Sequence, residues 1–160
     1  MIITRFNTTD TEEILHLFYD TVHTINAKDY SKEQLDAWVH SADLDSKIES
    51  WSESLSKNST FVAKINDKIV GFGDLTHDGM LDRLYVHKNY QRKGIASALL
   101  QKLESEALTL HKQEILTYAS ITAKPFFEIH GYSLISTNHV ERKGITLTNF
   151  LMKKICSLPT

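Results

Sequence analysis

Apolar residues recur at helical spacing in the first third of the chain and at strand spacing from about position 60 onward. After a short β-branched start at Ile2 to Phe6, Ile14, Leu15, Phe18, Val22 and Ile25 fall on one face of a helix. Asp10 or Thr9 is its expected cap, with Glu12 and Glu13 in the first turn. Ser31 followed by Gln34 reads as a capping box opening a short helix with Leu35 and Trp38. Ile48, Trp51 and Leu55 mark another short helix. The period then drops to two. Phe61–Ile65 and Ile69–Gly73 read as strands joined at Asn66-Asp67-Lys68, and Asp78-Gly79 turns the chain into a third antiparallel strand, Met80–Val86. A helix with Ile95, Leu99 and Leu103 on its apolar face starts at Gly94. Glu114–Ala119 follows as a strand, and the β-α-β order places it parallel to Met80–Val86. Thr122 is the expected cap of a short helix stopping at Gly131. Tyr132–Ser136 and Ile145–Ile155 close the chain as a hairpin around Lys143-Gly144. These elements predict an α/β fold: a mixed sheet with helices on both faces.

The densest chemical signal is Leu84-Tyr85-Val86-His87-Lys88-Asn89-Tyr90-Gln91-Arg92-Lys93-Gly94-Ile95-Ala96. A strand enters a short basic loop that feeds a helix. The loop and first-turn amides have no intrahelical partners, and the helix dipole favours an anion there. Gly94 and Ala96 keep the surface small, while Arg92 and Lys93 add mobile positive charge for a phosphate. Neither G-x-x-x-x-G-K-[ST] nor G-x-G-x-x-G occurs. A plain helix start with solvated basic residues would share these features.

Composition narrows the classes. The chain has 160 residues, 41% hydrophobic and 24% charged, which suits one globular domain over residues 1–160. The net charge of −2 supplies no basic field for nucleic acid, so no nucleic-acid partner is expected. Cys156 is the only cysteine, which excludes a disulfide framework. No apolar run approaches the ~20 residues of a membrane span, and residues 1–5 lack a signal-peptide layout. The expectation is a cytoplasmic protein without a membrane partner. His77, His87, His130 and His139 are scattered without metal-like spacing, so no metal is expected.

Gln91-x-x-Gly94-x-Ala96, after a Leu-x-Val strand end and before Leu99-Leu100, resembles the acyl-CoA signature Q/R-x-x-G-x-G/A of GNAT-family N-acetyltransferases. The segment Ala119 to Tyr132 resembles the strand and helix that end in a Gly-aromatic pair in that family. Gly144 to Lys153 resembles its last strand, and Tyr30 to Trp38 resembles a bacterial subgroup of it. The resemblance implies a GNAT-like fold and acetyl-CoA as acyl donor. It implies that the pantetheine arm lies between Met80–Val86 and Glu114–Ala119, pairs with backbone groups of Leu84, Tyr85 and Val86, and places its pyrophosphate on the amides of Arg92 to Ala96. Gln91, Arg92, Lys93, Gly94, Ile95, Ala96, Ser120, Phe126 and Phe127 would complete the cofactor site.

It further implies that an amine attacks directly and that a general base removes its proton. Asp82 is the first candidate base, because it shares side-chain parity with Leu84 and Val86. The alternative is a surface aspartate paired with Arg83. A tyrosine that protonates the leaving thiolate is common in the family. Phe127 stands at that position here, and Ser120 stands where many members have Asn. Tyr85, Tyr118, water or unassisted departure remain open for the thiolate. The acceptor pocket is expected to form from the first two helices and the closing hairpin, with Tyr30, Gln34 and Trp38 as candidate walls, and Asp74 is a candidate for holding a cationic substrate. The expected partner is a small-molecule, amino-acid or peptide amine, acted on by a monomer or homodimer. A non-catalytic acyl-CoA sensor and a toxin acting on aminoacyl-tRNA are the rivals. The net charge of −2 weakens the toxin reading.

Overall fold

The computed structural model describes residues 1–156. Seven strands form one sheet in the order β1-β2-β3-β4-β5-β7-β6, namely β1 Ile2–Arg5, β2 Ser59–Ile65, β3 Lys68–Leu75, β4 Met80–Val86, β5 Glu114–Ser120, β6 Ser133–Arg142 and β7 Ile145–Ile155. β4 and β5 are parallel and the other neighbours antiparallel, so the sheet is mixed as expected. The helices are α1 Thr11–Thr24, α2 Lys32–Trp38, α3 Leu44–Lys57, α4 Ile95–Thr109 and α5 Lys124–Ile129. No described helix is long and apolar enough to cross a membrane.

Two apolar cores form, one on each face of the sheet. Leu99, Leu100 and Leu103 of α4 and Phe127 of α5 pack with Phe61, Val70 and Met152 on one face. Ile14, Leu15, Phe18 and Val22 of α1, Leu35 of α2 and Leu55 of α3 pack with Val62, Phe72 and Leu147 on the other. This division follows from strand alternation, which sends Val62 and Phe61 to opposite faces.

Local chemistry explains the hairpin turns and the cap of α2. Asn66 (φ 50°) and Asp67 (φ 63°) join β2 to β3, and Lys143 (φ 51°) and Gly144 (φ 78°) join β6 to β7. Two consecutive left-handed residues are what a type I′ hairpin requires. The Ser31–Gln34 capping box is present. Two expected caps are not. Asn7 caps a 3₁₀ turn at Thr8–Asp10, and Asp10 closes that box from the far side instead of capping α1. Thr122 does not cap α5. Its hydroxyl donates to Asp29 Oδ2 at 2.7 Å, while the Ser120 hydroxyl accepts the Ala123 N–H at 3.0 Å. β6 is also longer than its apolar start at Tyr132–Ser136 predicts. Its polar continuation through Arg142 is held by full pairing with β7.

Candidate active site

The sheet has one weak seam. β4 and β5 pair only through Met80↔Leu116 and Leu81↔Thr117, and the Thr117 hydroxyl adds a bond to the Leu81 carbonyl at 2.9 Å. Beyond this the two strands diverge. A cavity of about 570 Å³ runs through the gap, lined by Leu84, Ala119, Ala123 and Phe127, and by Tyr30, Trp38, Tyr118, Asn138 and Asn149. Leu84, Ala119 and Phe127 belong to the α4/α5 core, whereas Tyr30 and Trp38 pack in the α1–α3 core. The cleft therefore reaches both faces of the sheet.

Backbone groups of β4 face the gap selectively. The His87 N–H bonds the Val70 carbonyl of β3 at 2.8 Å. Antiparallel ladders alternate, so Tyr85 also bonds toward β3, while Leu84 and Val86 point into the gap. The Val86 carbonyl is already taken by Thr21 Oγ1 at 2.9 Å and Gln91 Nε2 at 2.8 Å. Of the three residues expected to pair with a pantetheine arm, the backbone of Tyr85 is committed elsewhere. The Leu84 N–H and C=O and the Val86 N–H remain available. The Tyr85 side chain packs on Phe18 (4.9 Å between centroids) and Phe72 (5.8 Å), and burial pushes its phenol up.

The basic loop lies at the β4–α4 junction, outside the residues that line the cleft. Arg92 (φ 60°) and Gly94 (φ 79°) are both left-handed, and such turns gather successive N–H groups into an anion-binding concavity. A Cβ placed on Gly94 would have no neighbour within 4 Å, so a ligand has open access to the main chain there. Arg92 and Lys93 are exposed. Gln91 acts as a strut to the Val86 and His87 carbonyls. The Ile95 side chain is core and Ala96 packs against that core, so only their backbone groups can serve an anion. The room, the amide geometry and the charge all fit a pyrophosphate.

The remaining expected site residues divide. Asp82 is half-exposed and lines the cleft. It does not simply share parity with Leu84 and Val86. Leu75 pairs with Leu81 and Asp74 with Arg83, so Asp82 is the extra residue of a β-bulge. Its partner Arg83 lies 3.8 Å away. Ser120 lines the cleft, and its hydroxyl already serves Asn26 and Ala123. Phe127 lines the cleft, while Phe126 lies behind it against His130 with centroids 4.3 Å apart. Tyr30 and Trp38 form a wall, packed edge to face at 5.5 Å. The Tyr30 hydroxyl donates to the Thr148 carbonyl at 2.7 Å and accepts the Ile121 N–H at 2.9 Å.

Two expectations fail. Gln34 is not at the cleft, because its amide closes the capping box and donates to the Thr146 carbonyl at 3.0 Å, tying α2 to β7. Asp74 is fully buried away from the cleft. It bonds Arg83 at 2.5 Å and Asn58 at 2.9 Å, so the cation it holds belongs to the chain itself. Arg83, Asn138, Arg142 and Asn149 line the cleft without having been anticipated. Alternation along the closing hairpin was the available signal, since Asn138, Val140 and Arg142 share a face.

The family model described as an acetyltransferase (GNAT) domain matches residues 26–155. The chain is 37% identical over 153 residues to the uncharacterized N-acetyltransferase YafP of Escherichia coli (strain K12), covering 94% of this chain and 93% of that one. A GCN5-related N-acetyltransferase structure from Rhodopseudomonas palustris superposes with a TM-score of 0.90 at 28% identity, covering 96% of this chain and 94% of the other. The PaiA N-acetyltransferase of Thermoplasma acidophilum, solved in complex with coenzyme A, has the same fold with a TM-score of 0.76 at 20% identity, covering 97% and 99%.

Proposed function

The chain belongs to the GNAT acetyltransferase family, acetyl-CoA-dependent acyltransferases, and from that premise we propose that it acetylates a primary amine of a small molecule, amino acid or peptide N-terminus by direct attack. The observation that carries this reading is the cleft through the β4–β5 gap, open to both faces. It lets donor and acceptor approach one point from opposite sides, so holding them together supplies much of the rate.

The donor pyrophosphate rests on the Arg92–Ala96 amides. Its arm pairs with the free Leu84 and Val86 groups, completing β4 as an added strand. The Leu84 N–H faces the thioester carbonyl and stabilises the charge that develops on its oxygen. The amine enters past Tyr30 and Trp38. It must lose a proton to attack, and Asp82 takes that proton directly or through a water. The thiolate departs without a proton from Phe127. Tyr85 lines the cleft and can donate a hydrogen bond there while keeping its proton, because a phenol, at ~10, is already a weaker acid than the thiol, at ~8.5, and burial pushes it further up.

Acetyl-CoA with a panel of amines should release CoA thiol. Asp82→Asn should cut kcat/KM by roughly 10²-fold at neutral pH, with the loss shrinking as pH rises and free amine accumulates. An unchanged pH-rate profile would remove Asp82 from the mechanism. Phe127 favours one second reading, an acyl-CoA sensor. Tight acetyl-CoA binding without turnover across the panel is its signature.

A further inference from the structure

The acceptor side of the cleft has a charge pattern that the proposed reaction does not explain. Its floor is the β6–β7 hairpin, where Asn138 pairs with Asn149, Val140 with Leu147 and Arg142 with Ile145. Three charged residues line the cleft: Asp82, Arg83 and Arg142. Arg83 is consumed, bonded to Asp74 at 2.5 Å, 3.8 Å from Asp82, and stacked 4.5 Å over Trp51. Arg142 has no ion pair and no side-chain hydrogen bond among the described residues. Its neighbour Lys143 does, bonding Asp43 at 2.7 Å and anchoring the hairpin tip to the start of α3. Arg142 is thus an exposed, unpartnered guanidinium among the residues that line the cleft. Between the two ends stand the carboxamides of Asn138 and Asn149, and the Asn149 amide oxygen is shut from solvent without a partner.

We propose that the acceptor is an amine carrying an anionic group, carboxylate or phosphate, at the end remote from its nitrogen, and that Arg142 binds that group. This rests on the amine acetylation proposed above and adds the substrate class. The amine must reach the gap, level with the Ser120–Asn149 pair at the end of β5. Arg142 lies four residues beyond Asn138 on β6, about 13 Å along the strand. An α-carboxylate, within ~3.6 Å of its own nitrogen's end of the residue, is too close to bridge that distance. A dipeptide or ω-amino acid spans it better, with the guanidinium reaching back along the cleft. A planar guanidinium suits a carboxylate or phosphate equally, through paired N–H bonds.

The test uses matched acceptors of similar amine basicity: glycylglycine against glycylglycinamide, 6-aminohexanoate against its amide, and an aminoalkyl phosphate against the corresponding aminoalcohol. The anionic member of at least one pair should show roughly tenfold higher kcat/KM, expressed mainly in KM. Arg142→Gln should bring that ratio close to one, and Arg142→Lys should keep part of it. The carboxylate and phosphate pairs distinguish the two sources of charge. Turnover with ratios near one in every pair, or a preference that survives Arg142→Gln, overturns the inference and leaves amine acetylation standing. No turnover with any member overturns both.

Discussion

Asp74 occupies a site hostile to charge. It is fully buried, one of its carboxylate oxygens has no hydrogen-bond partner, and burial outweighs the Arg83 guanidinium and the Asn58 amide. Its pKa is accordingly raised from 3.8 to about 6. The sign of the linkage follows. Between about pH 4 and pH 6 the folded protein holds a proton on Asp74 that the unfolded chain has released, so this group's contribution to stability falls as pH rises through that window. The full difference is on the order of 3 kcal/mol. Urea midpoints of wild type and Asp74→Asn, measured from pH 4 to pH 7, should therefore diverge with pH: wild type loses ground against the variant on going to neutral pH. A constant difference would show that the Asp74 carboxyl is not shifted. The sequence could not reveal this role. An aspartate near a cleft reads as a substrate contact until β3 and β4 are in register, and only then does Arg83 fall opposite it.

At the scale of elements, two glycines form a natural matched pair. Gly94 begins α4 at φ 79°, Gly144 turns the β6–β7 hairpin at φ 78°, and a side chain at either meets nothing within 4 Å. Alanine at either site should cost about 1 kcal/mol of backbone strain, with similar losses in Tm. Glutamate separates them. Gly94→Glu puts a carboxylate over the loop amides and should weaken acetyl-CoA binding more than tenfold by calorimetry, while Gly144→Glu leaves that affinity within about twofold. Equal affinities in the two variants would mean that the loop holds no phosphate. The loop and its helix were legible because their chemistry is contiguous: strand, turn and N-terminus follow one another within Leu84 to Ala96. The Ser31–Gln34 box and the hairpin turns were legible for the same reason. The Asp82 bulge was not, since it depends on pairing with β3. The closing hairpin was expected at the acceptor pocket, but which of its residues line it was not legible, since that depends on which face of β6 and β7 the helices leave open.

Across the whole molecule, the seam between β4 and β5 divides the sheet into a four-stranded and a three-stranded part. Beyond the two paired positions, side chains carry the connection past the gap. Asn26 donates to Ser120, Asp29 accepts from Thr122, and the Tyr30 hydroxyl joins the Ile121 N–H to the Thr148 carbonyl, all from the segment between α1 and α2. A donor arm lodged in the gap would add backbone hydrogen bonds where the sheet has fewest, so binding and sheet integrity are coupled. At a hundredfold excess over Kd, acetyl-CoA should stabilise the fold by about 2.7 kcal/mol, a rise in Tm of roughly 5–10 °C at this chain length. Location distinguishes this coupling from a generic ligand effect. Amide exchange at Leu84 and Val86, whose N–H groups face the gap, should slow by more than exchange in β7, whose amides already lie between β5 and β6. Uniform protection of both halves, or protection confined to the Arg92–Ala96 loop, would mean that the arm does not complete β4 and that the gap serves the acceptor alone.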